Sequence, residues 1–191
     1  MKIVAINGSP RKEGNTFLML KELCKTLNEL NIETEILHLG TVPLSGCIGC
    51  GKCYVDKNLK CVLSDNLFNS IFAKMATADG IVIGSPVYFG DMTANMKAFI
   101  ERAGMLTRAN NNVLARKPAA AVVAVRRGGA VNTFSNMNLF FTISQMIVVG
   151  SSYWNMGIAR EIGEFEKDDE GHMTMKTLGD NMAWLLGKIN K

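Results

Sequence analysis

Histidine is scarce in this chain of 191 residues, with only His38 and His172. Neither has a neighbouring partner pattern of the kind a catalytic base needs, and no nucleophile or acid–base pair stands out elsewhere. Chemistry carried by protein side chains alone is therefore not expected. Long apolar runs are missing as well: none approaches the ~18–20 residues that a membrane helix requires. The net charge is +4, but the 21 Lys and Arg residues are scattered between hydrophobic segments. That scatter argues against a dedicated surface for nucleic acid. No repeat, low-complexity stretch or Pro/Gly-rich linker divides the chain, and its length suits one domain over residues 1–191. The opening MKIVAINGSP enters a strand pattern directly, without signal-peptide anatomy, so the expectation is a cytoplasmic protein with no membrane partner.

Hydrophobic residues make up 48% of the chain, enough to build a core without help from a metal or a disulfide. Apolar runs at residues 2–8, 80–85 and 119–125 have the continuous character of strands covered on both faces. Residues 33–39 alternate like a more exposed strand, and residues 146–154 supply a fifth. Amphipathic helices are expected at 15–30, 65–77, 93–104, 132–146 and 173–189. Repeated strand–helix alternation predicts an α/β three-layer sandwich, with a five-stranded parallel sheet in the order 2-1-3-4-5. Residues 40–64 are too long for an ordinary connection and are expected to form a loop insertion that something local orders.

Between the first strand and the first helix stands NGSPRKEGNT, residues 7–16. In an open α/β sheet, ligands bind at the carboxyl ends of the strands beside the switch in strand order. The helix N-terminus there offers unpaired N–H groups to an anion. Gly8 and Gly14 let the backbone bend, Ser9, Asn15 and Thr16 can donate hydrogen bonds, and Arg11 adds charge. Neither the Gly-Lys-Ser/Thr ending of a nucleoside-triphosphate loop nor the G-x-G-x-x-G of a dinucleotide loop is present. A plain Gly/Pro turn before a capped helix has the same composition.

The third strand leads into SPVYFGDMTANMKAFIERAG, residues 85–104, where Pro86 and Gly90 bracket the aromatic pair Tyr88 and Phe89. Such a turn can either complete a core or lie against a flat heteroaromatic ring. A third glycine turn, VRRGGAVNTF, follows the fourth strand. All three turns leave one edge of a doubly wound sheet, giving a pocket with a phosphate end and an aromatic end. Flavin mononucleotide (FMN) fits that pair of features better than a nucleotide substrate does.

GSPRKEGNT followed about seventy residues later by SPVYFGDMTANMKAFIERAG resembles the flavodoxin-like NADPH-dependent FMN reductase superfamily. The resemblance spans roughly residues 1–150. It implies that Ser9, Arg11, Asn15 and Thr16 hold the FMN phosphate. It also implies that Pro86, Val87, Tyr88, Phe89 and Gly90 pack on the isoalloxazine, and that Arg127, Gly128 and Gly129 complete the site. It further implies a homodimer or homotetramer.

Four of the five cysteines lie in CIGCGKCYVDKNLKC, residues 47–61. Cys47, Cys50 and Cys53 share one compact turn, and Cys61 stands a short loop away. Three close thiolates with a fourth more distant are a ligand pattern for a [4Fe–4S] cube. Gly46, Gly49 and Gly51 let the chain curl, and Lys52, Lys57 and Lys60 can offset the cluster's charge. Zinc more often takes two separated pairs. A disulfide suits an oxidising compartment, and metal-free thiols stay open at this point. The spacing also resembles the iron–sulfur flavoprotein subgroup of the same superfamily. Cys24, inside a helical pattern, reads as a small buried apolar residue.

The expectation is a redox flavoprotein and an oxidoreductase. NAD(P)H or a ferredoxin-like protein would be its electron donor, and a small molecule or that same kind of protein its acceptor. A cluster-free NAD(P)H-dependent FMN or quinone reductase and a non-enzymatic electron carrier are the alternatives.

Overall fold

The computed structural model describes residues 1–63 and 66–189. The expected helix start at Asp65 and the last position of the 40–64 span lie outside the described residues.

Six parallel strands form one sheet: β1 (Lys2–Asn7), β2 (Glu33–His38), β3 (Gly80–Pro86), β4 (Pro118–Val125), β5 (Ile147–Val148) and β6 (Met156–Ile158). The order is β2-β1-β3-β4-β5, as the alternation of elements predicts, and β6 also pairs with β4. The expected fifth strand over residues 146–154 is corrected. Ile147–Val148 pairs with the start of β4, Met156–Ile158 pairs with its end, and the chain between them leaves the sheet. Gly150, Ser151 and Ser152 explain the break, since such residues favour turns over a ladder. The Ser151 hydroxyl lies 2.7 Å from the Tyr153 carbonyl and 2.6 Å from Asn155 Oδ1, closing that turn. The split matters because Ile158 pairs with Val125, so the following residues emerge at the carboxyl edge of the sheet.

Around the sheet run α1 (Asn15–Glu29), α2 (Lys52–Asp56), α3 (Asn66–Thr77), α4 (Ala94–Ala109), α5 (Ala130–Ile143) and α6 (Asp169–Ile189). Successive strand residues face opposite sides. Ile3, Ala5, Val82, Ala120, Val122 and Ala124 pack under α1 and α6. Val4, Ile6, Ile81, Ile83, Ala121 and Val123 pack under α3, α4 and α5. Both faces are covered, which is why the strands read as continuous apolar runs.

Three helix limits differ from expectation. Helix α4 runs through Gly104 to Ala109, since an interior glycine weakens a helix without ending it. Helix α5 starts at Ala130, directly after Gly129 in a left-handed conformation. Helix α6 starts at Asp169, so the acidic stretch 163–171 is a 3-10 turn (Glu164–Lys167) and the first turn of a helix. Asp169 and Glu170 suit the positive end of that helix.

Candidate functional site

The turn after β1 is held by its own side chains. Asn7 donates from Nδ2 to the Lys12 carbonyl at 3.0 Å and accepts the Ser9 N–H at 3.0 Å. Ser9 Oγ accepts the Arg11 N–H at 3.1 Å, which leaves the hydroxyl proton for an anion. His38, which has no catalytic pairing, donates from Nε2 to the Ser9 carbonyl at 2.7 Å and props the turn from β2. Gly8 is required by contact: a Cβ there would lie 3.0 Å from the Gly84 carbonyl oxygen, across the pair of central strands.

Ser9, Arg11, Asn15, Thr16, Pro86, Val87 and Tyr88 line one cavity of about 130 Å³ at the carboxyl edge. Thr16 is 1% exposed, and its Oγ1 has no hydrogen-bond partner among the described residues. A buried hydroxyl without a partner costs about 1–3 kcal/mol, so its position beside the first N–H groups of α1 fits a phosphate oxygen. Asn15 is placed differently from the expected donor. Its Nδ2 donates to the Glu161 carbonyl at 2.7 Å, and its Oδ1 accepts from the Gly163 and Phe165 N–H groups at 3.0 and 3.4 Å. Asn15 therefore offers the cavity its backbone N–H at the helix start.

Two arginines that sequence reading missed, Arg126 and Arg160, also line this cavity, whereas Arg127 does not. Strand periodicity carried the signal for Arg126. It continues the face of Val122 and Ala124, the α1 side, while Arg127 falls on the other. Arg160 depends on β6 (Met156–Ile158), which lies beyond the 146–154 run expected as the fifth strand.

A second cleft of about 220 Å³ is bordered by Gly8, Pro10, Gly40, Thr41, Tyr88, Thr93, Ala94 and Asn95. Tyr88 belongs to both cavities, so the two meet at that residue. Thr93 ties the two loops together: its hydroxyl donates to the Gly8 carbonyl at 2.7 Å and accepts the Met96 N–H that caps α4. Phe89 and Gly90 line neither cavity. Tyr88 and Asp91 exchange backbone hydrogen bonds across the turn, and Phe89 at its tip is fully exposed. Gly129 does not line the cavities either, but it packs on the second loop. With φ of +90°, a Cβ there would sit 2.8 Å from Val87 Cγ1 and 3.0 Å from Gly90 Cα. Gly128 is exposed.

Cys47, Cys50, Cys53 and Cys61 converge. All four line one small apolar cavity of about 20 Å³, together with Arg102, Met105 and Leu106 of α4. Burial, and then the charges of Cys47 and Cys50, hold the Cys53 thiol above its ordinary value. The Arg102 guanidinium carbon lies 3.9 Å above the Phe68 ring centroid and is buried beside the thiols. The donor set suits an iron–sulfur cube in kind and number. Among the described residues, however, no three ligating side chains are drawn together at metal-binding range. Cys24 lies apart, on the buried face of α1, where burial pushes its thiol up to about 11.

The profile describing NADPH-dependent FMN reductases matches residues 1–161. The chain belongs to that family. It is an FMN-dependent flavoprotein of the oxidoreductase class, and within the family it stands with the iron–sulfur flavoproteins. It is 38% identical over 199 residues to an iron–sulfur flavoprotein of Methanocaldococcus jannaschii, covering 100% of both chains. An iron–sulfur flavoprotein of Methanosarcina thermophila is 33% identical over 193 residues, with 100% of this chain and 98% of that one covered. Among solved structures, a flavodoxin, WrbA-like protein of Agrobacterium tumefaciens superposes with a TM-score of 0.70 at 15% identity over 98% of each chain. That likeness supports the flavodoxin-like fold. No helix among the described residues is long and apolar enough to cross a membrane.

Proposed function

We propose that the chain binds FMN noncovalently across the carboxyl edge of the sheet and passes electrons between NAD(P)H or a ferredoxin-like donor and a small acceptor. Ser9, Arg11, Thr16 and the N–H groups at the start of α1 would hold the phosphate, and Tyr88, Thr93 and Asn95 would border the ring. The buried, unpartnered hydroxyl of Thr16 carries this reading, because it sits in the same cavity as Arg11 and Ser9. When bound, FMN supplies one- and two-electron redox chemistry. The chain's own part is to exclude water, fix the ring against Tyr88 and hold the phosphate charge with arginines.

Cys47, Cys50, Cys53 and Cys61 would carry a [4Fe–4S] cluster. Helix α4 touches both sites, with Asn95 at the cleft and Arg102 at the thiols. At 1.5 Å per residue these are about 11 Å apart along the helix, so a cluster held by the thiols would lie on the same helix as the flavin cleft. The second reading is a cluster-free NAD(P)H-dependent reductase, favoured by the unassembled state of the thiols. Anaerobic reconstitution with iron and sulfide, assayed for both and read by absorbance, separates the two. About four irons per chain supports the cluster. No uptake, with full NAD(P)H-dependent turnover on FMN alone, supports the second reading.

A further inference from the structure

The stretch after β6 has a job in the phosphate cavity. Residues 159–165 leave the sheet at its carboxyl edge, and Ala159 and Arg160 line the cavity with Ser9, Arg11 and Thr16. The segment is braced from within, since the Glu164 carboxylate accepts the Arg160 N–H at 2.7 Å and the Glu161 N–H at 2.8 Å. It is anchored below by Phe165, which is fully buried under α1 and α6 and lies 4.4 Å, centroid to centroid, from His172. It is pinned above by Asn15, whose amide makes the three hydrogen bonds to residues 161, 163 and 165 already described. Arg160 Nε lies 3.1 Å from Glu161 Oε1, a pair that stays solvent-exposed and leaves the terminal guanidinium N–H groups available.

We propose that residues 159–165 form a strap that completes the phosphate site, with Arg160 as its contact to a phosphate monoester and Asn15 as the residue that positions it. This rests on the FMN reading above. The side chain of Asn15, the first residue of α1, thus acts on the phosphate through the strap and not by direct contact. A guanidinium brought to a dianion adds a charge-assisted hydrogen bond, so the strap should select phosphorylated flavin over the bare ribityl compound. The acidic brace does not undo this. Glu164 faces the backbone N–H groups of residues 160 and 161, and hydrogen bonds from those groups hold its carboxyl below its ordinary value.

The test is calorimetric titration of the full chain with FMN and, separately, with riboflavin. Wild type should prefer FMN. Arg160→Ala should weaken FMN about tenfold and leave riboflavin unchanged, so the preference falls by the same factor. Arg160→Lys should retain part of it. Asn15→Ala should lose a similar factor for FMN alone, and the double variant should be no weaker than either single one, because both changes remove one contact. Should Asn15→Ala fail to fold, Asn15→Asp keeps the acceptor and loses the donor to Glu161, and it should lose FMN preference in part. An unchanged preference in Arg160→Ala overturns the contact. Additive losses in the double variant overturn the positioning role and return Asn15 to direct binding. A wild type that binds riboflavin as well as FMN overturns the phosphate reading itself, a result distinct from either failure of the strap.

Discussion

The turn after β1 and the cysteine span after β2 leave the same edge of the sheet and are built in opposite ways. The first is stitched by Asn7, Ser9, His38 and Thr93 to itself, to β2 and to α4. Its glycine is fixed by contact, with Gly84 against Gly8. The second is tied down at its ends, by Asn95 to the Leu44 N–H and by Asn69 to both backbone groups of Cys61. Gly49 and Gly51, at φ of +66° and +70°, have nothing within 4 Å of a Cβ position. A site for an ordinary organic cofactor can be shaped by the fold in advance. A span with open glycines and several donors but little packing of its own suits a site that its ligand completes.

The largest effect expected from this contrast is on iron. Replacing any one of Cys47, Cys50, Cys53 or Cys61 with Ala should abolish most iron uptake and leave FMN affinity within about threefold, whereas Cys24→Ala should change neither. Parallel loss of FMN in the loop variants would mean that the two sites are not separately built. Glycine substitutions come next. Gly129→Ala meets both a left-handed backbone and Val87, and should lower stability by about 2–4 kcal/mol in urea unfolding. Gly49→Ala faces the backbone strain alone and should lose about 1–2 kcal/mol at most. Equal losses would erase the distinction between contact-fixed and open glycines. Hydrogen exchange sharpens it further: cluster loading should raise protection across residues 45–63 and leave residues 8–16 as they were. The smallest effect is expected of His38→Ala, which removes one brace on Ser9 and should cost about 1 kcal/mol of stability with a modest loss of FMN.

Much of the fold was legible because burial on both faces writes continuous apolar strands, and the strand order followed from alternation with helices. The break at Gly150–Ser152 was not, since Ile147, Val148 and Val149 continue an apolar run while the turn depends on Ser151 meeting Asn155. With β6 unseen, Arg160 had no route to the cavity. The phosphate loop announced itself through glycines, hydroxyls and Arg11. The partners of the Asn15 side chain at residues 161–165 lie almost 150 positions away, and no local pattern encodes such a contact. Arg126 was readable from the pleat. The cysteines were conspicuous, but the buried Arg102 beside them required helix α4 to be docked against the loop.

One hydroxyl bears most directly on the central claim that the β1 turn is a preformed phosphate cradle. Thr16→Val keeps the shape of the side chain and removes the buried Oγ1 that lacks a partner. Titrating metal-free wild type and variant with FMN and riboflavin should give about tenfold weaker FMN binding in the variant, unchanged riboflavin binding, and a folded state at least as stable as wild type, because an orphaned hydroxyl has been removed. FMN binding equal to wild type, or a loss shared equally by riboflavin, would contradict the cradle.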